Sequence, residues 1–409
     1  MSIPRADILA IFRGALTVVH GTACVERSLE ARYLRGEVHA VAVGKAAAAM
    51  LEGARCVLGR RLRSAMLVTK HGHVAPRMKH IPEITVIEAG HPVPNVASLR
   101  AGRAMLDLIA TIPSDARMLF LISGGTSSLV EVLPPEVCLE DLRRVNQWLL
   151  GSGLDIHTMN MLRKRLSCIK GGRLAEYLRG RRVMQLLISD VPSDRLADIG
   201  SGLLVPEDEE HYTALALPSW LRDILKHSPP RLTDPSCFLD IETQLVATLD
   251  EALAAAALEA RKLGYEPELH SERLNGDAAL AGRRLAGVLI DAPPGVHLWG
   301  GETCVALPPE PGRGGRNQHL ALAAAEVLAG RKDVWLLAAG TDGSDGSGED
   351  AGALIDGDTI MRGTGKHMNA ADCLRRADAG SFLETSGDLI STGPTGTNVM
   401  DMVIGMKVS

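Results

Sequence analysis

The chain has 409 residues, more than one ordinary hydrophobic core accommodates, so roughly two or three domains are expected. Apolar residues make up 46% and charged residues 23%, ordinary globular usage that excludes long disordered tracts. A formal net charge of −5 and only 3% aromatics leave neither a basic footprint nor stacking platforms, which excludes a nucleic-acid-binding role.

The first stretch, residues 1–20, carries Asp7 and Arg13 inside its apolar run and lacks a signal-peptide cleavage pattern. A recurring unit follows: a short apolar run, a Gly- or polar-rich turn, then a helical stretch. Val38–Val43 leads into Gly44-Lys45 and an Ala-rich helix, and Ala65–Thr69 leads into Lys70-His71-Gly72-His73. Ile84–Ile87 leads to the segment around His91, Met118–Ile122 to Ser123-Gly124-Gly125-Thr126-Ser127-Ser128, and Val183–Ile188 to Ser189-Asp190-Val191-Pro192. Apolar runs without alternation suit strands covered on both faces, as in a parallel sheet. Strands alternating with helices predict an α/β fold whose ligand loops gather at the carboxyl ends of the strands.

Pro206 to Pro235 reads as a connecting segment with short helices. A second α/β region is expected to open with a helix over Ile241–Leu263, whose stretch from Leu245 to Ala260 is the most apolar helical run; its Asp250, Glu251 and Glu259 mark it as a soluble helix. Strands are predicted at Val296–Trp299, Val334–Ala338 and Met402–Val408, with a helix over Asn317–Leu328. The seven cysteines stand singly, without disulfide or zinc-ligand spacing, and read as reduced thiols of a cytoplasmic protein.

Several turns carry chemistry. Ser123-Gly124-Gly125-Thr126-Ser127 sets hydroxyls around glycines where a strand meets a helix, a pattern suited to phosphate or carboxylate. The same turn also serves as a plain strand-to-helix connection. Lys45 at a helix start opposes the helix dipole, and a bound anion would account for it; a solvated surface lysine is the competing reading. Arg313 and Arg316 among glycines offer guanidinium forks. Asp190 with Asp194 and Asp198, and Asp342 with Asp345 and Asp350, are two acidic turns of the kind that hold Mg²⁺, although single Asp residues at turns more often bond their own backbone. Arg163-Lys164-Arg165 reads as a mostly solvated helix face, whereas Lys170-Gly171-Gly172-Arg173 reads as more purposeful.

Taken in order, these segments resemble the glycerate 2-kinase family whose C-terminal half is called MOFRL. The matching segments are Ala42-Val43-Gly44-Lys45, Gly90-His91-Pro92-Val93-Pro94, Ser123-Gly124-Gly125, Lys170-Gly171-Gly172-Arg173 and Ser189-Asp190-Val191-Pro192. They continue with Gly300-Gly301-Glu302-Thr303, Gly314-Gly315-Arg316-Asn317-Gln318, Gly340-Thr341-Asp342-Gly343 and Thr392-Gly393-Pro394-Thr395-Gly396-Thr397-Asn398. The resemblance implies a larger N-terminal Rossmann-like parallel-sheet domain, set here at residues 1–235, and a smaller C-terminal α/β domain, 236–409. It implies ATP- and Mg²⁺-dependent phosphorylation of D-glycerate to 2-phosphoglycerate in a cleft between them, by a cytoplasmic enzyme for which a homodimer is open.

By the same resemblance Lys45 and Arg316 are the active-site cations, and Asp190 is the first candidate for Mg²⁺ or general base, with Asp342 or Asp345 second. Ser123, Gly124, Gly125, Thr126, Ser127, Lys170, Gly171 and Gly172 are assigned to substrate or phosphate. Gly301, Glu302, Gly340, Thr341, Asp342, Thr395, Gly396 and Asn398 are assigned to nucleotide. The rival readings are an NAD(P)H-dependent hydroxypyruvate reductase, against which the missing Gly-x-Gly-x-x-Gly counts, and a non-catalytic anion-binding protein.

Overall fold

A computed structural model describes residues 3–32, 34–152, 154, 156–207, 217–346 and 348–409. The chain divides into two compact units, one of residues 21–246 and one of residues 1–20 with 247–409.

The unit of residues 21–246 is built on a six-stranded sheet. Its strands are β1 (Val38–Val43), β2 (Leu62–Lys70), β3 (Ile84–Ala89), β4 (Arg117–Ile122), β5 (Val183–Ile188) and β6 (Ile241–Ala247), in the order β3-β2-β1-β4-β5-β6. β1 to β5 run parallel, with β1 flanked by β2 and β4 in registers that align Val43 with both Val68 and Ile122. The apolar runs predicted this: β5 is buried at every position, and β1 at every position except His39. The strand order reverses between β1 and β4, and in such sheets that point opens a crevice at the carboxyl ends. One core binds the sheet to the helix Val96–Thr111, whose start is fixed by a reciprocal cap between Asn95 and Ser98. A smaller cluster around Leu149, Leu162 and Leu221 joins the helices Leu139–Gly151, Ile156–Arg165 and Ser219–Leu225. Part of the expected connecting segment, residues 208–216, lies outside the described residues.

The other unit carries a mixed sheet. Its strands are β7 (Pro267–Leu269), β8 (Gly295–Gly301), β9 (Val334–Gly340), β10 (Gly352–Asp356), β11 (Leu389–Ile390) and β12 (Asp401–Lys407), ordered β11-β10-β9-β12-β8-β7. β12 lies antiparallel between β8 and β9, so the last strand of the chain completes the centre of the sheet. The helices Ala278–Asp291 and Arg316–Leu328 cover it through Leu285, Leu289, Leu320 and Leu328.

Three expectations are corrected. The helix expected over Ile241–Leu263 is a strand followed by a helix, Leu249–Lys262. Thr248 and Glu251 form a capping box that starts the helix there, and the β-branched Ile241, Thr243 and Val246 fit the strand before it. The units divide after Val246 rather than after Pro235, because β6 joins the first sheet. The first helix, Ile3–Val18, goes with the C-terminal half, where it packs on the helix Leu249–Lys262. Among the described residues Pro4–Glu30, rather than the 245–260 stretch, is the most apolar long segment, and by length and composition alone it could cross a membrane. Its Ile8, Ile11, Phe12 and Ala15 are fully or almost fully buried, the pattern of a core helix.

Candidate active site

The crevice at the strand reversal is lined by the turns after β1 and β4, and these two turns are locked together. Ser123 donates its backbone N–H to the Val43 carbonyl at 3.0 Å, and Lys45 N–H donates to the Gly124 carbonyl at 2.9 Å. The buried Ser123 hydroxyl accepts from Ala46 N–H at 3.0 Å, and the Thr126 hydroxyl lies 3.0 Å from the Val43 carbonyl and 2.7 Å from that of Ser123. Gly44 makes the approach possible. It sits at φ 128°, and a Cβ there would lie 2.2 Å from the Ser123 hydroxyl oxygen and 2.6 Å from the Ser123 carbonyl oxygen. Gly125 is also left-handed, and a Cβ on it would meet the His91 ring at 3.0 Å and Lys45 Cγ at 3.4 Å. His91 and Lys45 therefore stand over the bare backbone of Gly125.

Beside this junction lies a cavity of about 240 Å³, walled by His91, Pro92, Gly125, Ser127, Asn146, Arg163 and Lys170 among others. Lys170 and Glu131 form a deeply buried ion pair at 2.5 Å, and Lys170 Nζ also donates to the Ser127 carbonyl at 2.7 Å. Its charge is thus matched, and it braces the turn after β4. Arg163 differs. Its guanidinium donates to the carboxamide oxygens of Asn146 (2.9 Å) and Asn160 (3.1 Å), and among the described residues it has no carboxylate partner. Burial pushes its pKa down from the usual arginine value. A half-buried cation held by neutral groups at a cavity wall leaves uncompensated positive charge for an anion. The reading of Arg163 as part of a solvated face is corrected: the helix Ile156–Arg165 turns it inward against the helix Leu139–Gly151. A basic triplet alone carries no signal of which member does so.

The assigned phosphate binders divide accordingly. Lys45, Gly125 and Ser127 line the junction or its cavity. Ser123 and Thr126 are fully buried and spend their hydroxyls on the lock, while Gly124 contributes its carbonyl to it. The amides of Gly171 and Gly172 donate to the carbonyls of Ser201 and Gly202, at 3.0 and 2.7 Å, so neither remains for phosphate.

Of the acidic turns, the one after β5 fits a divalent cation better. Asp198 is paired with Lys164 and Arg195, but Asp194, at φ 51°, has a buried carboxylate oxygen with no hydrogen-bond partner among the described residues, and Asp190 is half-buried on the same turn. An orphaned anionic oxygen is what a missing cation leaves behind. The turn after β9 fits less well. Asp345 accepts from the backbone N–H groups of Asn317 (3.0 Å) and Gln318 (2.8 Å), so both oxygens hold the start of the helix Arg316–Leu328. Asp342 bonds Ser344 through its N–H and hydroxyl.

In the unit that carries the mixed sheet, Arg316 is clamped by Asp401, with Nε and Nη2 at 2.5 and 3.1 Å from its two oxygens, and also contacts Glu302. Burial works against its charge, but Asp401 and Glu302 outweigh it and hold the guanidinium firmly protonated. Arg313 is taken by Asp350 and Glu384, so it offers no open fork. The loops assigned to nucleotide interlock. The Thr395 hydroxyl donates to the Thr341 carbonyl at 2.5 Å, Val399 N–H donates to the Thr341 hydroxyl at 2.8 Å, and a Cβ on Gly343 would strike the Gly393 carbonyl oxygen. Gly301 and Gly340 end β8 and β9, on either side of Asp401 in β12. Asn398 is buried, and the Thr397 hydroxyl beside it has no partner. Gly396 adopts φ 76°.

Residues 7–229 match the model of the domain of unknown function DUF4147, and residues 295–401 match the MOFRL family. A D-glycerate 2-kinase of Thermotoga maritima is 37% identical over 385 residues, 90% of each chain. A relative from Agrobacterium vitis that carries a hydroxypyruvate reductase name is 37% identical over 384 residues, 90% of this chain and 98% of its own. The crystal structure of a glycerate kinase from Thermotoga maritima superimposes with a TM-score of 0.83 at 34% identity, covering 98% of this chain and 99% of that one.

Proposed function

The chain belongs to the glycerate 2-kinase family built from DUF4147 and MOFRL domains, and from that premise we propose that it phosphorylates D-glycerate with ATP to give 2-phosphoglycerate. The observation that carries this reading is the switch-point junction, where Lys45 and His91 stand over Gly125 beside a cavity walled by the uncompensated Arg163. A small hydroxy acid needs a cation for its carboxylate, and a phosphoryl group in flight needs a second. Arg163 takes the first role and Lys45 the second. Phosphoryl transfer asks for little beyond this positioning and charge stabilisation. The 2-hydroxyl oxygen forms the new bond to the terminal phosphorus, the bond to the ADP oxygen breaks, and the hydroxyl proton is released.

Asp190 and Asp194 would hold Mg²⁺, which when bound neutralises charge on the phosphates. The loops at Gly340–Gly346 and Thr392–Asn398, with Glu302, take the nucleotide. Arg316 remains clamped on its Asp401 edge, and exchange of the more exposed Glu302 contact frees Nη1 for a phosphate oxygen.

The test is direct. Purified protein with ATP, Mg²⁺ and D-glycerate should release ADP only when glycerate is present, and NMR should find phosphate on the 2-hydroxyl. Lys45→Ala should lower kcat by about 10²- to 10³-fold, the usual effect of removing one charge-stabilising donor, with an unchanged melting temperature. Absence of ADP release together with NADH consumption on hydroxypyruvate would replace the reading by that of a reductase.

A further inference from the structure

In the unit of the mixed sheet, at that sheet's edge, three potential metal ligands converge. Glu268 lies in β7, His270 follows that strand, and His297 lies in β8, paired in register with Glu268. The donor atoms are already spaced as a coordination shell. His270 Nε2 lies 3.4 Å from His297 Nδ1, His297 Nδ1 lies 3.3 Å from one Glu268 oxygen, and the other Glu268 oxygen is 4.0 Å from His270 Nε2. Ligands about 2.0–2.1 Å from a tetrahedral Zn²⁺ stand about 3.3–3.4 Å from one another, which the His270–His297 and His297–Glu268 separations match; the 4.0 Å distance runs to the second Glu268 oxygen, so this exposed carboxylate must rotate for one oxygen to face both rings.

The surroundings prepare both imidazoles for the task. His297 is almost fully buried, and its far nitrogen, Nε2, lies 3.4 Å from the Pro293 carbonyl, which can only accept. A ring proton on Nε2 would be accepted there, which leaves the Nδ1 lone pair to a cation. His270 stacks on Trp299 with ring centroids 4.4 Å apart, which fixes its plane. Two imidazoles and a carboxylate are a donor set for a borderline divalent ion, with a fourth position left to water; Mg²⁺, which prefers oxygen, is a poor match.

We propose that Glu268, His270 and His297 form a Zn²⁺-class metal site that clips the short edge strand β7 and the segment after it onto β8. This strand pairs over only Pro267 to Leu269, so a clip across its end would stabilise an edge that has few ladder bonds of its own. The site shares no residue with the proposed kinase machinery, so it stands or falls independently of that reading.

The experiment is titration of the metal-free full-length protein with Zn²⁺ alone by isothermal calorimetry, paired with thermal melts. We expect one saturable site at micromolar affinity or tighter and a higher melting temperature with Zn²⁺. Co²⁺ should give visible d–d absorption of tetrahedral type. Glu268→Gln, at an exposed position, and His270→Gln, at a partly exposed one, should keep the fold, weaken Zn²⁺ binding at least tenfold and abolish the metal-dependent rise in melting temperature. His297→Gln should do the same if it folds. Lack of saturable binding in the parent protein overturns the site, as does binding unchanged in both His270→Gln and Glu268→Gln, which would assign the ion to exposed thiols elsewhere.

Discussion

Arg163 and Asp345 show how a residue's neighbours, rather than its type, decide what it does. Arg163 sits in a basic triplet whose members look alike in sequence, yet Lys164 is paired with Asp198 while Arg163, among the described residues, has only carboxamide partners. Its charge is available to a carboxylate, and a charge-assisted pair lost from such a wall costs about 2–3 kcal/mol. Arg163→Gln should therefore raise KM for glycerate by about 30- to 150-fold while KM for ATP stays near the parent value, as steady-state kinetics would read. An equal rise in both, or no rise, would remove Arg163 from the substrate site.

Asp345 makes the reverse point. Its place in an acidic turn suggested a metal ligand, but burial pushes its carboxyl up to about 7, against the pull of the Gln318 amide and with the Asp401 charge adding to the rise. A carboxyl with a higher pKa folded than unfolded holds its proton more tightly in the folded state. The stability this adds is complete below the unfolded value near 4 and is lost as pH rises through about 7. Denaturant melts should accordingly show unfolding free energy falling between about pH 4 and 7, by at most about 1.4 kcal/mol per pH unit, and Asp345→Asn should flatten that slope. A slope that survives the substitution would place the titrating group elsewhere.

At the level of elements, what the sequence made legible is what local physics determines. The largely apolar runs of β1, β4 and β5, which lack polar alternation, suit strands covered on both faces, so the first sheet and its ligand edge were visible in advance. Ile241–Leu263 was not, because a half-polar strand that passes directly into a helix hides its boundary; Thr248 and Glu251 were the available signal. The lock between the β1 and β4 turns was visible as two glycine-bearing turns, but not as one object, since the distance from Gly44 to Ser123 exists only after the strands pair. That lock gives a sharp expectation. Gly44→Ala puts a Cβ into the Ser123 backbone at a φ that alanine disfavours, so crowding and backbone strain add, each about 1–3 kcal/mol. The variant should lose several kcal/mol in chemical denaturation and lose activity with it. Gly287→Ala, at a helical glycine with open space around it, should be close to neutral as a control.

For the whole molecule, the contribution of the first helix was beyond what sequence order suggests, since the start of the chain completes the half formed by its end. Ile3–Val18 buries Ile8, Ile11 and Phe12, and Gly14 packs against Glu259 of the helix Leu249–Lys262. Polar ties reinforce the docking. Arg5 reaches Asp356 and Asp388 at 3.2 and 3.1 Å, and the Tyr265 hydroxyl donates to Asp7 at 2.6 Å. Each large apolar side chain so buried is worth about 1.5–3 kcal/mol, so three of them approach the entire margin of an ordinary domain, about 5–15 kcal/mol. A fragment of residues 247–409 should therefore be molten or unfolded by near-ultraviolet circular dichroism, whereas residues 21–246, which own both their sheet and their cores, should melt cooperatively alone. Adding a peptide of residues 1–20 to the 247–409 fragment should restore a cooperative transition, and the same peptide carrying Phe12→Ala should not. Cooperative melting of 247–409 without the peptide would mean that the helix decorates that core rather than completing it.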